Sequence, residues 1–171
     1  MKLLIATLLA VFSIGCCSKA SLKNEQPPNY DKIEIIDWQG YHNPERIRNK
    51  VLYTLHDKDE INKLYNALKK SQAICPDLVL SGYLPTVKFI DSKANRVLTL
   101  IMYHHDCQIS IYEIINGEGG LVLNLRSENF IKPYLQLLRE KTPKVFAEYD
   151  ERAKRYGAKN LEDFLINGVK K

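Results

Sequence analysis

Four apolar runs rich in β-branched and aromatic residues follow one another between residues 86 and 125, and they constrain the fold more than any other feature. They occupy residues 86–91, 97–103, 108–115 and 120–125. Only a few residues separate each run from the next, and connections this short join antiparallel neighbours, because a parallel crossover needs a dozen residues or more. The block therefore predicts an antiparallel sheet.

A helix is predicted just before this block. Asp57 suits an N-cap position, and Glu60 three residues later completes a capping box. The apolar residues that follow recur at helical spacing and share one face, which predicts that this face packs against the sheet. They are Ile61, Leu64, Tyr65 and Leu68.

Further helices are predicted after the block. Ser127 marks the start of the first of them. Thr142 followed by Pro143 indicates a cap with proline at the first helical position, and Asn160 opens a short last helix. The C-terminal part of the chain is therefore predicted to be helical.

The order of these elements predicts the fold class. Two more strands are predicted at residues 33–38 and 51–55, ahead of the first helix. Strands, a helix, an antiparallel meander and then helices indicate an α+β fold. We expect a single domain over residues 31–171, with an antiparallel sheet of five or six strands and helices packed on one face.

The N-terminus has the pattern of an export signal. Lys2 supplies a positive charge, and residues 3–14 are apolar except for Thr7 and Ser13. A run of about a dozen residues is shorter than the roughly 20 that a membrane-spanning helix needs. Residues 1–15 are therefore predicted to be a signal peptide.

The signal ends in Ser13-Ile14-Gly15-Cys16, which resembles the processing site of bacterial lipoproteins. The resemblance covers only the first sixteen residues. It implies lipidation at Cys16 and attachment to a membrane of the cell envelope, at the outer membrane or the cell surface. A second interpretation stays open, because Ser18-Lys19-Ala20 has the small residues of an ordinary cleavage site, and cleavage after Ala20 would release a soluble secreted or periplasmic protein.

Residues 16–30 separate the signal from the predicted domain. They are mostly polar and include Pro27 and Pro28. This composition is typical of a spacer rather than of a packed segment. We interpret residues 16–30 as a lipidated tether.

The predicted domain contains two cysteines, Cys75 and Cys107. In an oxidising compartment two such residues commonly pair, and closing a loop of about 33 residues would stabilise the fold by roughly 3 to 4 kcal/mol. A Cys75–Cys107 disulfide is therefore predicted. Two buried thiols and a catalytic cysteine are the alternatives.

His104, His105 and Asp106 are the densest group of potential metal ligands. Neighbouring residues on a strand point to opposite faces, so both histidines reach one ion only if the backbone turns between them. Polar residues at a hairpin bend are the simpler interpretation. The alternative is a metal-binding or hydrolytic periplasmic protein that uses this group together with Cys107.

Charge and motifs narrow the function further. The chain has 25 basic and 20 acidic residues, a mixed surface that does not favour nucleic-acid binding. It contains no nucleophile elbow, no phosphate-binding glycine loop and no zinc-protease helix. We therefore expect a non-catalytic binding or inhibitory module without a cofactor, attached to a membrane through Cys16 and directed at a protein or envelope partner.

Overall fold

The computed structural model describes residues 29–37, 50–74, 84–103 and 106–168. Within them the chain forms seven strands and four helices. The strands are β1 (Lys32–Asp37), β2 (Lys50–Leu55), β3 (Gln72–Ala73), β4 (Thr86–Asp91), β5 (Arg96–Met102), β6 (Gln108–Ile115) and β7 (Glu118–Arg126). The helices are α1 (Lys58–Lys69), α2 (Glu128–Lys141), α3 (Pro143–Arg155) and α4 (Leu161–Asn167).

All seven strands belong to one sheet, in the order β2-β1-β4-β5-β6-β7-β3. Every pair of neighbours is antiparallel. The predicted α+β class and the antiparallel sheet are confirmed. The sheet is larger than the predicted five or six strands because β3 adds a seventh, and two residues are too few to show the alternation by which strands are recognised.

The helices pack on one face of the sheet, as predicted. A cross-strand row of buried aliphatic residues runs through the centre of this face, because side chains in register on adjacent strands point the same way. This row consists of Ile35, Val87, Leu100, Ile111 and Leu123. Tyr65 of α1 packs against Phe89 of β4 with 6.1 Å between ring centroids, which places α1 on the same face. None of the four helices has the length and apolar content to span a bilayer.

The helix starts follow most of the predicted caps. The Asp57 carboxylate accepts hydrogen bonds from the backbone N–H groups of Asp59 and Glu60. Asn160 accepts one from Asp163 N–H in the same way. Thr142 is the N-cap residue of α3, as predicted, but its side chain makes no capping hydrogen bond to this helix. Its hydroxyl donates to the Leu138 carbonyl of the preceding helix instead, although the next residue, a proline, begins α3 as expected.

The opposite side of the sheet, which we call the helix-free face, carries none of the four helices. It has two ends. At the loop end β5 leads into β6 at residues 103–108, and at the hairpin end β6 turns into β7 at Asn116 and Gly117. The eight residues of β6 hold these ends about 24 Å apart, at about 3.4 Å per residue.

Candidate functional site

The structure places two of the predicted site residues, Asp106 and Cys107, at the loop end of the sheet. His104 and His105 lie outside the described residues, as do Cys16 and Cys75. Lipidation at Cys16, the Cys75–Cys107 bridge and metal binding by the two histidines therefore stay predictions.

The backbone around Cys107 is fixed by two helices. Asp106 and Cys107 both adopt left-handed conformations, with φ of 60° and 52°. This conformation costs a residue with a side chain roughly 1 to 2 kcal/mol. Hydrogen bonds offset the cost, because Cys107 N–H donates to the Leu165 carbonyl at 2.9 Å and the Cys107 carbonyl accepts from Ser127 N–H at 3.0 Å. The turn is thus held by the start of α2 and by α4.

The side chain of Cys107 is enclosed in the core. It is 2% exposed, and its Sγ lies 3.6 Å from the Leu165 carbonyl oxygen. Burial raises the pKa of the thiol to about 11, and the negative charge of Glu128 adds to the effect. A nucleophilic cysteine needs the opposite environment, exposed and electropositive. These observations oppose the catalytic interpretation of Cys107.

We predict that Cys107 in the folded, reduced protein reacts with iodoacetamide about 100-fold more slowly at pH 8 than an ordinary thiol. A pKa near 11, two above the ordinary value of 9.0, lowers the thiolate fraction by that factor. Peptide mass spectrometry at Cys107 measures the rate. In urea the reduced protein should react rapidly. Without reductant, continued resistance in urea would show the predicted bridge, whereas fast reaction of the folded protein would contradict the burial.

Asp106 has a partner on the neighbouring strand. Its carboxylate forms an ion pair with the Arg126 guanidinium, and the two side chains are 37% and 47% exposed. A metal ion at Asp106 would have to displace this pair. Within the described ranges, no three histidine, cysteine or acidic side chains are grouped closely enough to hold a metal ion.

Beside this ion pair lies a chain of hydrogen bonds on the helix-free face. Tyr103 Oη donates to Ser110 Oγ at 3.0 Å, and Ser110 Oγ donates to Asn124 Oδ1 at 2.6 Å. Ser110 is buried, whereas Tyr103 and Asn124 are half-buried. The hydroxyl of Ser110 donates to an amide oxygen, which is not a base, so this contact does not activate it as a nucleophile.

We call these five residues the loop-end cluster: Tyr103, Asp106, Ser110, Asn124 and Arg126. Sequence reasoning identified only Asp106 of them. Strand periodicity shows that Asn124 and Arg126 share a face of β7, but their approach to Tyr103 and Ser110 depends on the register of three strands. The sequence of a single strand does not specify its register with the neighbouring strands.

Comparisons with known proteins found no relative of this chain. No protein family matches the chain, and neither a curated protein nor a solved structure is significantly similar to it. The fold and the loop-end cluster define an α+β domain with an array of hydrogen-bonding and charged groups at one end of its sheet.

Proposed function

We propose that this chain is an envelope lipoprotein, anchored through Cys16, whose domain binds a protein or envelope partner through the loop-end cluster. The observation that carries the binding part is the partial exposure of the cluster. Asp106 and Arg126 each keep more than a third of their side-chain surface accessible while they are paired. Paired groups of this kind offer both donors and acceptors to a partner without burying a lone charge.

The anchor supports the same function. A tether that confines the domain to one membrane raises its local concentration near partners in that membrane, so that a modest contact is sufficient. Two observations favour binding over catalysis: the thiol of Cys107 is buried and protonated, and the hydroxyl of Ser110 is hydrogen-bonded to the amide of Asn124. We infer a binding or inhibitory role.

Site-specific photocrosslinking in cells tests the proposal. The photoreactive residue p-benzoylphenylalanine replaces Arg126 in one full-length variant and Lys144, an exposed residue of α3 on the helix side, in a matched control. We expect an adduct of defined mass from position 126 alone. The partner identified in it should bind the Arg126→Ala protein at least about tenfold more weakly, a difference of about 1.4 kcal/mol. Equal adducts from both positions, or unchanged affinity, would contradict the proposal.

A further inference from the structure

The hairpin end of the sheet exposes two large aliphatic side chains next to each other. Ile114 and Ile115 are 41% and 45% exposed. They end β6, just before the turn at Asn116 and Gly117, where positive φ values of 55° and 85° make a tight two-residue connection. Consecutive strand residues point to opposite faces, so the tip of this hairpin is apolar on both sides.

Glycines leave Ile114 without a covering neighbour on β7. Ile114 is paired with Gly119, and the preceding residue, Glu113, is paired with Gly120. On β5 and β4, Ile114 continues a row with Val97 and Ile90, which are half-buried on the helix-free face. We call Ile90, Val97 and Ile114 the apolar row.

The charges beside the apolar row on the helix-free face nearly cancel. Lys32 and Glu34 form an ion pair at 2.7 Å, and Lys88 of β4 adds one positive charge on the same face. Arg96 and Glu113 are paired with each other on the helix side of the sheet. A surface with balanced charge is not attracted strongly to anionic headgroups. Its contact with a lipid surface would therefore depend on apolar side chains.

The chain enters the domain beside this row. Tyr30 is buried against the rings of Tyr65 and Phe89, with centroids 5.4 and 5.3 Å away. Asp31 N–H then donates to the Ile90 carbonyl at 2.8 Å, and Lys32 is in register with Ile90. From β1 to β6 is three strand spacings in the sheet order, about 14 Å.

The length of the predicted tether limits the distance between this entry point and the membrane. Thirteen residues lead from Cys16 to Asn29. Even when fully extended, thirteen residues reach at most about 45 Å. A domain of about 140 residues is roughly 35 to 40 Å across. Because the tether joins the domain at the hairpin end, it confines that end to the tether's reach from the membrane while the opposite end can lie further away, which favours orientations with the hairpin end toward the bilayer.

We propose that the hairpin end docks on the lipid bilayer that holds Cys16 and inserts Ile114 and Ile115 among the headgroups. This inference rests on the lipid anchor of the proposed function. It orients the molecule, because the loop-end cluster lies at the far end of β6 and so faces away from the membrane.

Hydrogen–deuterium exchange tests the docking. The exchange rate of each backbone amide is measured in the acylated protein on phosphatidylcholine vesicles and in the soluble mature chain carrying Cys16→Ser. The ratio of these two rates is then measured in the same way for two variants. One carries Ile114→Ser with Ile115→Ser. The matched control carries Val51→Ser, which removes an aliphatic residue of similar exposure, 44%, from β2. In the wild type and the control, we expect amides 113–120 to exchange at least threefold more slowly on vesicles than in solution. In the double variant, we expect these amides to exchange at the same rate in both.

Each other outcome overturns the docking. Insertion of the two isoleucines is contradicted if the wild type exchanges at equal rates on vesicles and in solution. It is also contradicted if the protection on vesicles survives the double substitution. Protection that disappears when protein is diluted in the lipid indicates contact between copies, and protection lost in 1 M salt indicates headgroup charge. Intact mass separates the two proposals: a chain without added acyl groups contradicts both, whereas an acylated chain without protection contradicts only this one.

Discussion

The Cys16→Ala protein is expected to carry no fatty acid at all. In the proposed maturation the acyl chains attach at this residue, and cleavage of the signal peptide before it depends on the same cysteine. The variant should therefore also retain residues 1–15. The loss is complete rather than graded, because no other described or predicted feature of the chain supplies a lipid.

Metabolic labelling with an alkyne fatty acid, followed by intact-mass measurement, checks this result. Cys17→Ala is the matched control, since it removes the neighbouring thiol and should keep full label and normal processing. Label that persists on Cys16→Ala would contradict the anchor. An unlabelled wild-type protein that begins at Ser21 would instead establish cleavage after Ala20 and a soluble protein.

Gly119→Ala is expected to destabilise the domain by about 3 kcal/mol or more. A Cβ at this position would lie 1.8 Å from the Glu113 carbonyl oxygen and 2.7 Å from Ile114 Cα. Both are backbone atoms of the paired strand, so they do not rotate away as the end of a side chain does. The β6–β7 pairing must separate locally to accommodate the methyl group.

Gly120 provides the control for this prediction. It is the next residue of the same strand, and a Cβ there meets nothing within 4 Å. We expect Gly120→Ala to change the free energy of unfolding by about 0.5 kcal/mol or less. Urea unfolding of the two variants measures the difference, and similar midpoints would show that β6 and β7 do not approach each other this closely.

Local signals predicted the regular elements well. β4 and β6 occupy the residues that their β-branched runs indicated, and Asp57 caps α1 as its spacing to Glu60 suggested. These features depend on neighbours in sequence, where propensity and capping act. The α+β class followed because the order of the elements permits few architectures.

The loop-end cluster was harder to predict because it depends on contacts between strands. Tyr103 follows β5, Ser110 lies in β6 and Asn124 lies in β7, and nothing in each segment's own sequence singles them out. The hydroxyl of Thr142 is a smaller example. It can hydrogen-bond to the preceding helix, α2, or to the following helix, α3. Only the packing of α2 against α3 decides between these two bonds.

The bond from Cys107 N–H to Leu165 has a consequence for the order of events during biosynthesis. The left-handed turn between β5 and β6 is completed by a residue 58 positions later, in α4. While the chain is being synthesised, that turn lacks its acceptor until Leu165 has been added. Cys107 is therefore enclosed only after α4 has been added to the chain.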